Sequence, residues 1–212
     1  MREGGFMSKL KTIFFLTILF ISSNSYALME MGVDYSYSRK VYGSNRENNT
    51  KSTTYSGSWA IYFLTLTALE LSFGQTEETT VEKSSIAIDG STITVTGFKT
   101  IVDSKMFGIG IKQALGPKKA RLRPAISLGY ARQFVEDKTF INYSDSASGS
   151  SGSIQDSESS ARYDSVQASF SLQFFLSQRF SLKGSVRTIF PAFDFDKASD
   201  DLRYSVGLSW FL

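Results

Sequence analysis

Eight charged residues stand out because each falls on the small, polar side of a two-residue alternation. Glu30, Asp34 and Glu70 are acidic; Lys112, Arg123, Lys183, Arg187 and Arg203 are basic. Carboxylates can serve acid–base catalysis and cations can bind anions, but nothing in the sequence marks two of these carboxylates as a catalytic pair. Histidine is absent, which removes the commonest general base and metal ligand. Cysteine is absent too, excluding disulfides, thiolate metal sites and a lipid anchor on Cys. Asp194 and Asp196 begin like a calcium loop, but no Gly or bidentate Glu follows at the spacing such a loop needs. Gly108 and Gly110 are a fragment of a nucleotide fingerprint without its remainder, and read as small residues in a crowded interior. No cofactor, metal or catalytic residue is expected.

The elements that carry these charges read as strands. Met29, Met31, Val33, Tyr35 and Tyr37 alternate with Glu30, Gly32, Asp34, Ser36 and Ser38. Leu202, Tyr204, Val206, Leu208, Trp210 and Leu212 alternate with Arg203, Ser205, Gly207, Ser209 and Phe211. The same period of two recurs through six intermediate segments, centred on Trp59, Leu71, Ile109, Leu128, Phe170 and Leu182. Eight is an even count, as a closed antiparallel bacterial barrel requires. The connections alternate as well. Stretches 42–53, 144–160 and 191–201 are long and polar, whereas 65–67 and 177–178 are short. Residues 144–160 are Ser-rich and of low complexity, which predicts a mobile loop. The apolar odd-numbered face above Phe107 meets Lys105 and Asp103, so a bulge near Met106 that turns Val102 and Met106 outward is expected.

Residues 1–27 read as a signal peptide: a basic start at Lys9 and Lys11, an apolar run over 12–21, and small residues Ser25 and Ala27 at the cleavage positions. Met7 is a second candidate start. The run of ten apolar residues is too short to span a membrane as a helix. Residues 28–212 carry a net charge of +1, which gives no reason to expect nucleic acid.

The pattern resembles the small eight-stranded outer-membrane barrels of the OmpX and OmpA-barrel type, over residues 29–212. The most specific likeness is the C-terminus, where Tyr204, Val206, Leu208, Trp210 and Leu212 look like the signal read by the barrel-assembly machinery. The family usually ends in Phe; here Leu212 is last, with Phe211 before it. The resemblance implies an all-β, eight-stranded antiparallel up-and-down transmembrane barrel in the outer membrane of a Gram-negative-type bacterium, monomeric, in contact with outer-membrane lipid and lipopolysaccharide. It also implies an extended extracellular hairpin over 76–99, turning at Asp89-Gly90. An eight-stranded interior is just wide enough for its side chains, so the eight charges are expected to form a packed network rather than a gated ion path. A non-enzymatic role in envelope structure or surface adhesion follows. The alternatives are a narrow pore for small solutes, or a lipid-modifying barrel enzyme, whose chemistry lacks its histidine here.

Overall fold

Residues that alternate apolar and polar can bury only one side of a strand, and eight such strands satisfy every backbone group by closing on themselves. The computed structural model describes residues 29–117, 120–191 and 202–212. Its strands are β1 (Met29–Tyr42), β2 (Asn48–Tyr62), β3 (Thr67–Ala87), β4 (Ile93–Ala114), β5 (Leu122–Asp145), β6 (Ser150–Phe175), β7 (Phe180–Pro191) and β8 (Arg203–Phe211). Each pairs antiparallel with its sequence neighbours, and β8 returns to β1 to close the barrel. The segment read as a signal peptide and the acidic stretch around Asp194 and Asp196 lie outside the described residues.

One register row defines the geometry. From Ser181 it runs through Ser209, Gly32, Ser58, Ser72, Gly108, Ala131 and Ser165, and arrives back on β7 at Pro191. The circuit therefore climbs ten residues along β7. Eight strands with that stagger tilt by about 40° and enclose a backbone radius of roughly 8 Å. The eight residues from Ser181 to Ser165 are all Ser, Gly or Ala. This spiral of small residues, climbing the inner wall, leaves room for longer side chains to cross the lumen.

The molecule is apolar outside and polar inside. Val33, Leu128, Tyr204 and Val206 are more than 60% exposed, while Glu30 and Lys112 are 1% and 2% exposed. Such an exterior belongs against hydrocarbon. Aromatic residues gather toward its upper rim: the Tyr35 and Tyr55 rings lie 5.3 Å apart, and Phe107 meets Phe73 at 5.7 Å and Phe134 at 6.4 Å.

Three sequence-based expectations need correction. The bulge near Met106 is absent. β3 and β4 hold continuous register from Thr67↔Gln113 to Lys83↔Gly97, and the first slip falls between Lys83 and Ile86. Met106 faces the lumen at 6% exposure, and Lys105 points outward. The outward lysine is tolerable because it stands just beyond Phe107, where the apolar band ends and a lysine can reach polar surroundings. Residues 144–160 are not a mobile loop. β5 and β6 pair as far as Asp145↔Ser150, leaving only residues 146–149 as the turn. Likewise 42–53 is mostly strand, with pairing up to Tyr42↔Asn48. Low-complexity Ser-rich sequence is held here by the ladder of its partner strand, a constraint invisible to local composition.

Asp145 closes the β5–β6 turn. Its carboxylate accepts bonds from Thr92 Oγ1 (2.6 Å), Ser148 Oγ (2.7 Å) and the Ala147 N–H (3.0 Å). These donors, Thr92 foremost, lower its pKa to about 2. A depressed carboxylate stabilises the turn above its ordinary value of 3.8 and loses that contribution as pH falls through about 2. NMR shifts of Ala147 and Ser148 should therefore hold at pH 4 and move toward unstructured values near pH 2. Separately, Leu208→Arg should cost about 2–4 kcal/mol in folding titrations with lipid vesicles if its site lies near the bilayer midplane. A neutral effect would reverse the assignment of that face.

Candidate functional site

The polar interior is where the chain concentrates its chemistry, and Glu30 is its hub. β1 places this carboxylate near the short-turn end of the barrel, 1% exposed. It accepts Lys112 Nζ from β4 at 2.7 Å, Tyr62 Oη from β2 at 2.7 Å, and Gln173 Nε2 from β6. β1 does not adjoin β4 or β6, so two of these bonds cross the lumen. Ser72 and Gln167 make a further cross-lumen bond at 2.9 Å.

A second ion pair lies one tier away. Lys183 and Asp34 both pair in register with Gly207, one from each side. Their charged atoms meet at 2.7 Å, although the angles miss hydrogen-bond geometry. Gly207 is required beneath them, because a Cβ there would collide with the Val33 carbonyl and with Asp34. Gly32 is constrained for the same reason: a Cβ would stand 2.7 Å from Ser58 Oγ and 3.0 Å from Lys183 Nζ.

The other four charges behave differently. Arg123 stacks its guanidinium on Phe175 at 4.3 Å and lies 5.5 Å from Phe211, whose rings touch each other at 5.1 Å. That cluster caps the short-turn end by cation–π contact rather than by a salt bridge. Arg203 donates to Thr76 Oγ1 at 2.9 Å. Arg187 pairs in register with Arg203 and is half-buried. Glu70 is buried at 8% exposure and takes no cation within salt-bridge distance among the described residues. The alternation in the sequence singled out these eight charges; it did not identify Tyr62, Gln167, Gln173 or Ser72 as interior hydrogen-bond partners. The signal for the two glutamines was their place on the small-residue face of β6.

A cavity of about 30 Å³ lies between Thr54, Thr76, Ser104, Met106, Arg187 and Arg203. It has room for about one water. No group of acidic residues among the described ones could hold a metal. The C-terminal residues lie elsewhere: Tyr204, Val206, Leu208 and Trp210 point outward at 37–68% exposure, with Leu212 half-buried beside them.

This inside-out barrel has counterparts among solved structures. The N-terminal β-barrel domain of OprF from Pseudomonas aeruginosa matches over 88% of this chain and 98% of its own, at 13% identity and TM-score 0.52. The chain has the fold of an outer-membrane β-barrel. The attachment invasion locus protein Ail of Yersinia pestis covers 89% of this chain and 100% of its own, at 13% identity and TM-score 0.47. Neisserial surface protein A covers 89% and 100%, at 9% identity and TM-score 0.46. No family model and no curated protein sequence matches.

Within this outer-membrane barrel, Lys112→Met strands the Glu30 carboxylate in a poorly hydrated interior. The expected cost is about 3–5 kcal/mol in denaturant unfolding. Replacing Glu30 and Lys112 together by Met should recover most of it. Gly207→Val should weaken folding strongly, whereas Gly184→Val, where a Cβ meets nothing within 4 Å, should not.

Proposed function

We propose that this protein is a non-enzymatic outer-membrane barrel whose filled lumen anchors a surface-exposed sheet that carries recognition. The observation that supports this reading most is the mismatch in strand length. The last β6–β7 pair is Ser165↔Pro191, yet β6 continues to Ser150, and β3, β4 and β5 continue beside it. The short turns lie at the opposite end, so the extension points away from the cell. It bears Ile86, Ile88 and Ile154 at 53%, 47% and 58% exposure, an unusual apolar display for a water-facing surface. Among the described residues β6 pairs over 150–164 only with β5, which leaves a backbone edge for a partner strand to join.

The cross-lumen bonds from Glu30 and Gln167 support a structural rather than conducting interior. In this reading the C-terminal residues Tyr204 to Leu212 serve assembly, residues 1–27 serve export, and the chain works as a monomer. The competing reading is a pore for small solutes. Planar-bilayer recordings should show little steady conductance; a large stable ohmic conductance would favour the pore. Replacing residues 81–99 by a two-residue turn, which keeps the Thr80↔Thr100 pair, should leave the barrel inserted and heat-modifiable on gels while abolishing binding to cells or surface partners. Unchanged surface binding by the folded, shortened protein would refute the recognition role.

A further inference from the structure

The stagger of the barrel turns register rows into heights. A row climbs ten residues per circuit of eight strands, so points at one height fall about 1.25 residues further below the row at each strand. The row through Arg39 passes Lys51, Thr79, Ile101, Lys138 and Glu158. Following Arg39's height instead leads to Lys105 on β4, to within about one residue of Arg132 on β5, and within about two of Arg162 on β6. Five basic residues, scattered over three rows, thus form one belt, all exposed on the outer wall. Each stands two or four residues beyond an outward apolar or aromatic side chain on its own strand: Tyr37, Tyr55, Phe107, Tyr130 and Val166. At the estimated tilt that is roughly 5–10 Å in height, matching the headgroup layer outside the hydrocarbon core.

The belt has few anions of its own. Arg132 is matched by Asp164 at 2.9 Å. Arg39 and Lys51 oppose each other directly, an arrangement unfavourable without a counter-ion. Lys105 and Arg162 flank Phe134 in register. None of these four makes a salt bridge among the described residues. Of the carboxylates on the same face, Glu77 lies at the belt's height, with Asp103 and Glu136 on the tier above.

Beneath Lys105 lies a second feature. An open groove of about 670 Å³ runs across the outer wall between two adjacent rows, from Val206 and Leu208 to Phe107 and Lys105. Gly57 forms its floor, where a Cβ would meet nothing closer than 3.7 Å. The groove crosses four strand spacings, about 19 Å, comparable with the ~15 Å half-thickness of a hydrocarbon core.

We propose that this face binds a phosphorylated outer-leaflet lipid, its acyl chain in the Gly57 groove and its phosphates on Lys105 and Arg162, with Arg39 and Lys51 as a second phosphate site. The proposal rests on outer-membrane placement. The test uses the full barrel, with Trp210→Phe so that Trp59 on the neighbouring outward position of β2 reports alone, refolded into phosphatidylcholine vesicles containing lipid A or dephosphorylated lipid A with brominated acyl chains as quenchers. Heat-dependent gel migration reports insertion separately, so failure to insert would overturn the placement itself. For inserted protein, lipid A should quench preferentially. K105A/R162A should weaken that preference about thirty-fold, from two lost basic contacts. Gly57→Leu should reduce quenching by both lipids. Inorganic phosphate should not displace lipid A, and displacement would identify a site for free phosphate instead. Equal quenching by the two lipids, or no response to K105A/R162A, overturns the proposal.

Discussion

The structure depends on closing the backbone hydrogen-bond ladder. In hydrocarbon no N–H or C=O can turn to water, so the return of β8 to β1 is a condition for the chain to exist there at all. Closure with a stagger of ten residues sets the tilt and width, and the width sets what the interior can hold. A spiral of small residues up the inner wall, Gly32 among them, and Gly207 beneath the second ion pair make space for Lys112 to meet Glu30 and for Lys183 to meet Asp34.

The interior follows from that confinement. A carboxylate removed from water is costly unless cations and donors surround it, and Glu30 has a lysine, a phenol and an amide drawn from three other strands. These bonds do for this barrel what apolar packing does for a soluble core, tying opposite walls together. The exterior follows the opposite rule. Its aromatic and aliphatic residues gain nothing from burial within the chain, because the surrounding lipid replaces the core.

Beyond the bilayer the constraint changes again. There β3 to β6 continue as an ordinary water-exposed sheet, held by cross-strand pairs such as Thr100 with Thr139 at 3.4 Å and by the Asp145 turn. Freed from lipid, this part can tolerate Ser-rich sequence, bulges at Lys83/Ile86 and Val95/Gly97, and a stretch of β6 that among the described residues pairs on one edge only. The barrel supplies rigidity and the extension supplies surface.

Period-two alternation in sequence was enough to establish strand type and strand number, because a pleated strand sends successive side chains to opposite faces whatever its neighbours do. It could not say where a strand stops: residues 144–160 look like a loop locally, and only the ladder from β5 makes them strand. Nor could it orient Met106, since the apparent conflict at Lys105 is resolved by height in the membrane rather than by a change of face. The partners of each interior charge, the uncharged side chains that join them, and the belt linking Arg39 to Lys105 were decided by the tertiary structure alone. Each depends on register and stagger between strands far apart in the chain, and no local pattern encodes the height at which one strand meets another.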